Sequence, residues 1–306
     1  MKLENMLDLL DEKEPRVNLF LVHKVNSKKR RSFSVANPEI TMEFEKNLLD
    51  IIKSELRSYQ DMRVVPYNII GCNDNIVEMA KVSEYNAVDL LKESLKNPSQ
   101  KFRFDTCGFD FFVYKVYFTD SDEELFFFRK SKNFKTFQKG FVGRFIEGRF
   151  KKLADTNKLL ATDETIDFVL DDKDIYIFQH LSFERVFDLN SKFLVQAKMV
   201  LDRVGDLSKI ESFDKLRKSA MGNGNYVKRL AKLNDGDNAN TATLFLEDLV
   251  QTQKVINEFN LDIEIDTKNN KMKFKDESQT SSYISLMQDA YYETLIGKVK
   301  GIDERR

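Results

Sequence analysis

Alternating apolar and polar positions predict strands near the start of the chain. Residues 17–25 alternate with a period of two, which is typical of a strand with two different faces. Apolar positions at 33–35 follow a basic turn, so the two segments predict a hairpin. The Asn-Pro-Glu sequence at 37–39 predicts a helix start. Apolar residues at spacings of three or four carry this helix to about Gln60.

The strand pattern returns in the middle of the chain. Residues 109–118 are apolar on both faces, which predicts a central strand covered on both sides. We expect Asp120–Glu124 to form a turn and His180 to close the last strand of this region. The other segments with strand character are 125–130, 141–150, 165–170 and 175–180, with 171–173 as a hairpin turn.

After Leu181 the apolar period becomes that of helices. Helices are predicted there at 182–187, 191–204, 212–221, 225–233, 241–260 and 281–299, with a small hairpin at 263–274, and one earlier helix is predicted at 84–96. The fold class is therefore α+β, with a mixed, largely antiparallel sheet and flanking helices, followed by a helical C-terminal part. We expect a sheet-containing α/β domain at 1–190 and a mainly helical region at 191–306.

The composition is that of a globular protein from a reducing compartment. Of 306 residues, 42% are hydrophobic and 32% charged, with 4 prolines and 11 glycines, which excludes disordered and low-complexity classes. The 26 phenylalanines and the absence of tryptophan predict an aromatic core. Cys72 and Cys107 are too few for a disulfide framework. Met1–Glu14 lacks a signal-peptide pattern and no apolar run is long enough to span a bilayer, so we expect a cytoplasmic protein.

The basic ribbon, which we define as residues 128–152, is the strongest functional signal. The whole chain is balanced, with 49 basic and 50 acidic residues, but this interval has Glu147 as its single acid and a formal charge of +8. Each phosphate that such cations neutralise adds about −0.9 to the log–log salt slope of binding. The candidate DNA-binding residues are Arg129, Lys130, Lys132, Lys135, Lys139, Arg144, Arg149, Lys151 and Lys152. The alternative without nucleic-acid binding is a solvated, lysine-rich strand edge that blocks aggregation.

No catalytic residue, metal site or cofactor is predicted, although a metal-dependent nuclease stays open as an alternative. Two D-x-K triplets, at 171–173 and 266–268, could supply a carboxylate and a lysine. Possible further ligands are Asp163, Asp167, Asp262 and Glu264. Both triplets fall in predicted turns, where Asp and Lys are common. His23 is expected to be a hydrogen-bonded core histidine, because it shares a strand face with Leu19 and Leu21.

An ordered pattern of aromatic and basic positions lies between Leu125 and Phe187. It comprises L-F-F-F-R-K at 125–130, G-R-F-K-K-L at 148–153, I-D-F-V at 166–169, D-I-Y-I-F at 174–178 and F-E-R-V-F at 183–187. This pattern resembles the Kiwa anti-phage defence protein B (KwaB) family. The matching positions cover roughly a fifth of the chain and are mostly apolar, so they specify a fold better than a chemistry.

The resemblance implies a bacterial defence effector that binds DNA without marked sequence preference and blocks phage replication or late transcription. It also implies a homodimer or higher homo-oligomer, and a membrane-embedded partner, Kiwa protein A, that could recruit the chain to the inner membrane. We therefore expect a DNA-binding effector. The alternatives are the metal-dependent nuclease and a non-enzymatic protein-interaction adaptor that docks through its acidic patches and C-terminal helices.

Overall fold

The chain divides into two units by its internal contacts. The computed structural model describes residues 2–26, 31–71, 75–98, 109–131, 143–146, 149–152, 164–234 and 240–303. The first unit comprises Met1–Tyr67 and Cys72–Phe187, and the second comprises Asn68–Gly71 and Asp188–Arg306. The predicted site residues all belong to the first unit.

The first unit is built on an eight-stranded sheet. Its strands are β1 (Pro15–Asn26), β2 (Arg31–Ala36), β3 (Arg63–Pro66), β4 (Ile76–Lys81), β5 (Phe111–Phe118), β6 (Ser121–Lys130), β9 (Phe168–Leu170) and β10 (Asp174–Ile177). Their order is β2-β1-β5-β6-β9-β10-β4-β3. The pair β3–β4 is parallel and the other pairs are antiparallel. A separate two-stranded hairpin joins β7 (Gly143–Ile146) to β8 (Arg149–Lys152), which corrects the prediction of a single strand at 141–150. The predicted α+β class is confirmed.

Apolar helix faces cover one side of the sheet. The helices of the first unit are α1 (Leu3–Glu12), α2 (Met42–Tyr59), α3 (Asn86–Lys96) and α4 (His180–Val186). Leu48, Ile52 and Leu56 of α2 are buried, and they belong to the same core cluster as Met6 of α1 and Tyr114 of β5. The three α2 residues recur every fourth position, which is the spacing that predicts this helix from sequence.

Alternate residues of β5 enter different parts of the core, so the prediction of a central strand covered on both sides is confirmed. Phe112 packs with the helix α2 cluster, whereas Phe111 packs against Phe128 with ring centroids 6.1 Å apart. Phe128 stacks on Phe168 at 4.3 Å, and Phe168 meets Phe183 of α4 edge-on at 5.5 Å. Each such ring buries about 150–250 Å². The phenylalanine-rich composition is therefore used in the core.

Helix α2 begins later than its sequence predicts. The Asn-Pro-Glu sequence at 37–39 stays outside the helix, and Thr41 is the N-cap, with its hydroxyl accepting a hydrogen bond from Phe44 N at 3.2 Å. One turn further on, Glu45 accepts hydrogen bonds from Arg16 Nε at 2.9 Å and Val17 N at 2.7 Å. Asn37 and Thr41 are both suitable N-cap residues, and the contact of Glu45 with β1 favours a helix that starts at Thr41. Strand β6 likewise begins at Ser121, inside the predicted turn, because Glu124 pairs with Tyr117 of β5.

The second unit is mainly helical. Its helices are α5 (Leu189–Asp206), α6 (Phe213–Met221), α7 (Gly224–Lys232), α8 (Thr241–Glu247), α9 (Leu249–Glu258) and α10 (Thr280–Met287). The hairpin of β12 (Glu264–Asp266) and β13 (Lys271–Lys273) lies where it is predicted, and β11 (Ile210–Glu211) adds a parallel strand. A last hairpin joins β14 (Tyr291–Glu293) to β15 (Lys300–Ile302).

Two long helix predictions in this unit are wrong in part. The segment 241–260 is broken at Asp248, whose carboxylate caps α9 by accepting a hydrogen bond from Gln251 N at 2.9 Å. The segment 281–299 is helical only to Met287, because Asp289 adopts a positive φ of 49° and the chain turns into β14. Asp303 N then donates to Ala290 O at 2.8 Å. Helical spacing continues past both breaks in the sequence and hides them, although Asp248 with Gln251 three residues later is itself a local helix-start signal.

Candidate nucleic-acid interface

The predicted DNA-binding residues fall into three groups in the structure. Arg129 and Lys130 end strand β6. Arg144 lies in β7, whereas Arg149, Lys151 and Lys152 lie in β8, and the register places Arg144 opposite Lys151. Lys132, Lys135 and Lys139 lie outside the described residues. The described part of the ribbon thus has basic residues on both strands of a short hairpin and at the end of a sheet strand.

Arg129 is held inside the protein by an acidic partner. Its Nη1 donates to Asp167 Oδ1 at 2.6 Å, and both side chains are buried. The other oxygen of Asp167 accepts from Lys130 N at 2.5 Å, while Asp167 O accepts from Phe178 N and Gln179 N. Asp167 therefore ties the end of β6 to the turn before α4. The guanidinium of Arg129 positions this strand end.

Three cations from separate elements meet where β6 ends. We define the Lys24 cluster as Lys24 of β1, Lys130 of β6 and Arg185 of α4. Lys24 Nζ donates to Arg185 O at 2.7 Å. Lys24 and Lys130 are half-buried, and Arg185 is exposed. The cluster lies where the chain leaves the sheet and continues into the rest of the basic ribbon.

The charges of this cluster act on one another. Burial lowers the pKa of Lys130, and the positive charge of Arg185 lowers it further. Lys24 and Arg129 act in the same direction, whereas Asp167 opposes them. A lysine whose pKa is depressed by neighbouring cations lies in positive potential, and an anion placed there stabilises its charged form. Burial is the larger cause of the shift, and the like charges around Lys130 account for the part that a nearby anion would offset.

Sequence reasoning identified only Lys130 of this cluster. Lys24 and Arg185 are 161 positions apart, and neither lies in a basic run that would draw attention to it. Arg185 is part of the F-E-R-V-F segment at 183–187, which supports the family resemblance but carries no charge signal of its own. Strand pairing and the packing of α4 bring the three residues together.

His23 lies beside this surface rather than in the core. Its Nδ1 is 3.1 Å from Asp110 Oδ2, and its side chain is 41% exposed. Asp110 also accepts from Lys24 N at 2.7 Å. The prediction of a core histidine is wrong, because the strand face that buries Leu19 and Leu21 is no longer covered at this end of β1.

The second histidine is the centre of a buried polar cluster that sequence reasoning missed. His180 begins α4 instead of closing strand β10, which corrects the prediction. Its Nδ1 is 2.6 Å from Glu78 Oε2, and its Nε2 is 2.9 Å from Glu184 Oε1. Tyr67 donates its hydroxyl to Glu184 Oε1 at 3.0 Å and stacks on the imidazole at 5.2 Å. Glu184 follows His180 by one helical turn, but nothing in the sequence pairs either residue with Glu78.

The charge state of this buried cluster follows from its geometry. Burial alone would lower the pKa of His180, but the adjacent carboxylates of Glu184 and Glu78 outweigh it and raise the pKa to about 9. Burial and the adjacent Glu184 raise the pKa of Tyr67, so its hydroxyl stays a donor. An imidazolium between two carboxylates is a structural clamp that joins β4 to α4.

The carboxylates of the nuclease alternative are used in turns and ion pairs. Asp171 Oδ1 accepts from Lys173 N and Asp174 N at 2.7 and 2.8 Å. Asp266 Oδ1 accepts from Lys268 N at 3.0 Å in the turn between β12 and β13. Both triplets thus lie in hairpin turns, as predicted, and Asp163 lies outside the described residues. Among the residues that the structure describes, no group of three or more His, Cys, Asp or Glu side chains is arranged to hold a metal ion.

None of the described helices is both long enough and apolar enough to cross a membrane. No curated protein and no solved structure matches the chain. A family model described as Kiwa protein KwaB-like matches residues 110–297, from the start of the central strand pair to the turn of the last hairpin. Because this match spans more than half of the chain, the chain belongs to the KwaB-like family of Kiwa proteins, which makes it a component of Kiwa anti-phage defence.

Proposed function

We propose that this chain is the DNA-binding effector of its Kiwa system. It binds DNA largely without sequence specificity and blocks phage replication or late transcription by occupying the template. Occupancy needs affinity for phosphate and no catalysis. The observation that carries the proposal is the meeting of Lys24, Lys130 and Arg185 at the point where the basic ribbon leaves the sheet.

The hairpin β7–β8 supports the same proposal. Arg144 lies opposite Lys151, and Gly143 lies opposite Lys152. A two-stranded ribbon with cations on both strands can follow a phosphate backbone, since directly opposite residues are only about 5 Å apart. The proposed phosphate contacts are Lys130, Lys132, Lys135, Lys139, Arg144, Arg149, Lys151 and Lys152, joined by Lys24 and Arg185. Arg129 belongs to this site as the residue that positions Lys130 through Asp167.

A gel-shift titration on two unrelated DNA duplexes tests the function. The full chain is titrated over a salt series, with and without Mg²⁺. Intact, retarded DNA with similar affinity for both duplexes and a steep salt slope supports the effector. Shortened DNA that requires the metal would instead establish the nuclease. Failure to shift either duplex at low salt would leave the protein-interaction adaptor.

The double variant Arg144→Gln/Lys151→Gln should weaken binding to both duplexes alike and reduce the salt slope by about 1.8, because two phosphate contacts are lost. The measurement is the slope of log K against log salt. Lys46→Gln/Lys96→Gln is the matched control, since it removes two exposed lysines from helices of the same unit. An unchanged slope for the hairpin variant, or loss of affinity for one duplex only, would contradict a backbone-reading ribbon.

The partners in this proposal are those that the family resemblance implies. The effector acts as a homodimer or higher homo-oligomer in the cytoplasm, with membrane-embedded Kiwa protein A recruiting it to the inner membrane. Its DNA-binding part is the α/β domain at 1–190, and the helical region at 191–306 is a separate domain. Co-expression with Kiwa protein A should carry the chain into the detergent-extracted membrane fraction. A chain that stays out of that fraction would contradict recruitment through this partner.

A further inference from the structure

The last hairpin of the second unit has a defined, closed turn. Strands β14 and β15 pair antiparallel, with Tyr292 opposite Gly301. Beyond them, Thr294 N donates to Val299 O at 2.9 Å, and Thr294 Oγ1 accepts from Val299 N at 2.9 Å. Lys298 N donates to Thr294 O at 3.0 Å. Hydrogen bonds therefore hold the turn in one conformation.

The base of the hairpin is anchored. Tyr291 packs against Phe259 at the end of α9 with ring centroids 4.8 Å apart. The Tyr292 ring lies over Gly301, where a Cβ would come 2.5 Å from the tyrosine Oη and the ring would have to move. These contacts fix the direction in which the hairpin projects.

The tip of this rigid hairpin is apolar and fully in solvent. Leu295 is 88% exposed, Ile296 is 100% exposed and Val299 is 62% exposed. Turns are normally built from Gly, Pro, Asn, Asp and Ser, which solvate well and tolerate tight backbone geometry. Two adjacent aliphatic residues at a projecting tip add nothing to the stability of the turn. Their position suits burial against something outside the chain.

Cations and an aromatic ring flank the apolar tip. Lys298 is 3.8 Å from Glu293, and Lys300 is 3.7 Å from Glu258. Ion pairs that are this long and this exposed are weak, so both ammonium groups can exchange partners. Tyr292 is 46% exposed just behind the tip. From its tip towards its base, the hairpin thus presents aliphatic side chains first and then a tyrosine and lysines.

We propose that the tip at 294–299 inserts into the surface of an anionic phospholipid membrane. Leu295 and Ile296 enter the boundary between headgroups and acyl chains, where apolar burial drives binding. Tyr292 lies at headgroup depth, as tyrosines do at membrane interfaces. Lys298 and Lys300 contact anionic headgroups, to which juxtamembrane lysines are attracted. This is a peripheral contact made by the chain itself, in addition to any contact with a protein partner.

The shape and charge of the tip favour lipid over a protein pocket. The tip is convex and narrow, and a fluid bilayer accommodates such a wedge without a complementary cavity. The lysines match the negative potential of an anionic leaflet. Two aliphatic side chains with two lysines give reversible binding of the order of that conferred by a single myristoyl chain, with an association constant of about 10⁴ M⁻¹. Binding of this strength would add to recruitment through a partner without replacing it.

Vesicle sedimentation tests the proposal with the full chain. Phosphatidylcholine vesicles that contain phosphatidylglycerol should pellet the protein, and vesicles of phosphatidylcholine alone should pellet much less. Leu295→Asp/Ile296→Asp should reduce the binding constant about a hundredfold, because two aliphatic side chains no longer leave water. Val250→Asp is the control, as Val250 is also an exposed aliphatic residue, at 74%, and lies in α9. Its binding should equal that of the parent chain.

A fluorescence measurement reports depth independently. The chain has no tryptophan, so Ile296→Trp places a single indole at the tip. Its emission should shift to the blue on anionic vesicles, whereas that of Val250→Trp should not. No shift at Ile296→Trp, or binding that the tip variant leaves intact, would overturn the proposal. Vesicle binding that survives in the tip variant would point to the basic ribbon as the lipid contact, and an absence of vesicle binding would also overturn the proposal.

The DNA function and this inference fail separately. Leu295→Asp/Ile296→Asp changes no proposed phosphate contact, so its DNA affinity should match that of the parent chain. Loss of vesicle binding with retained DNA binding supports lipid insertion. Equal loss of both would show that the tip substitutions disturb the whole chain, which would contradict an independent role for the tip.

Discussion

The triple variant Lys24→Gln/Lys130→Gln/Arg185→Gln should lose between about 100- and 1,000-fold of its DNA affinity at about 0.1 M salt, and its salt slope should fall by about 2.7. The three cations lie close together, and the pKa of Lys130 is lowered by burial and then by the charges of Arg185 and Lys24. If each cation contacts one phosphate, the variant releases about three fewer counterions on binding, and its affinity decreases accordingly. The measurement is the same duplex titration, repeated over salt.

Arg129 is deliberately left intact in this variant. Its removal would leave the buried Asp167 carboxylate without its 2.6 Å ion-pair partner and would destabilise the strand itself. The matched control is Lys46→Gln/Lys96→Gln/Lys254→Gln, which removes the same charge from exposed helix positions. Equal loss of affinity in both triple variants would mean that net charge alone drives binding, and the Lys24 cluster would then have no special role.

His180→Ala should lower the free energy of unfolding by about 3–5 kcal/mol, because it leaves Glu78 and Glu184 buried without the cation between them. Their side chains are 6% and 3% exposed. Urea unfolding followed by far-UV circular dichroism measures the change. His23→Ala is the matched control: it removes a half-exposed histidine paired with Asp110 and should cost less than about 1 kcal/mol. Similar losses in the two variants would contradict the clamp.

The same cluster predicts how stability depends on pH. The pKa of His180 is raised to about 9 in the folded chain, from 6.5 for the free side chain. Below pH 6.5 both states bind the proton, so the contribution of the clamp, about 3 kcal/mol, is complete. It decreases as the pH rises from 6.5 and is lost as the pH passes about 9. This dependence should be absent from His180→Ala, and a variant that retains it would place the titrating group elsewhere.

The local pattern of residues was sufficient for most elements. The alternation at 17–25 predicted β1, and the two-faced apolar run at 109–118 predicted a strand covered on both sides. The turn at 171–173 was also predictable, because the Asp171 carboxylate satisfies two amide groups within three residues. Such contacts are local, so nearby sequence contains what determines them.

The predictions that failed depended on contacts between distant segments. The start of α2 depended on Glu45 reaching β1, and the end of α10 depended on the pairing of β14 with β15 and on the hydrogen bond from Asp303 N to Ala290 O. His180 was assigned to a strand end because the sequence does not show its contact with Glu78, which lies in the neighbouring strand β4. For these positions local propensity allows more than one conformation, and tertiary contacts select one of them.

The sequence by itself determined the α+β class, the aromatic core, the family pattern and the concentration of positive charge at 128–152. Hydrophobic period and composition are properties of adjacent residues, and these features follow from them. The tertiary structure alone decided that Arg129 is held by Asp167, that Lys24 and Arg185 join Lys130, and that His180 lies between two buried carboxylates. Each of these depends on strand register and helix packing, which bring together residues far apart in the chain.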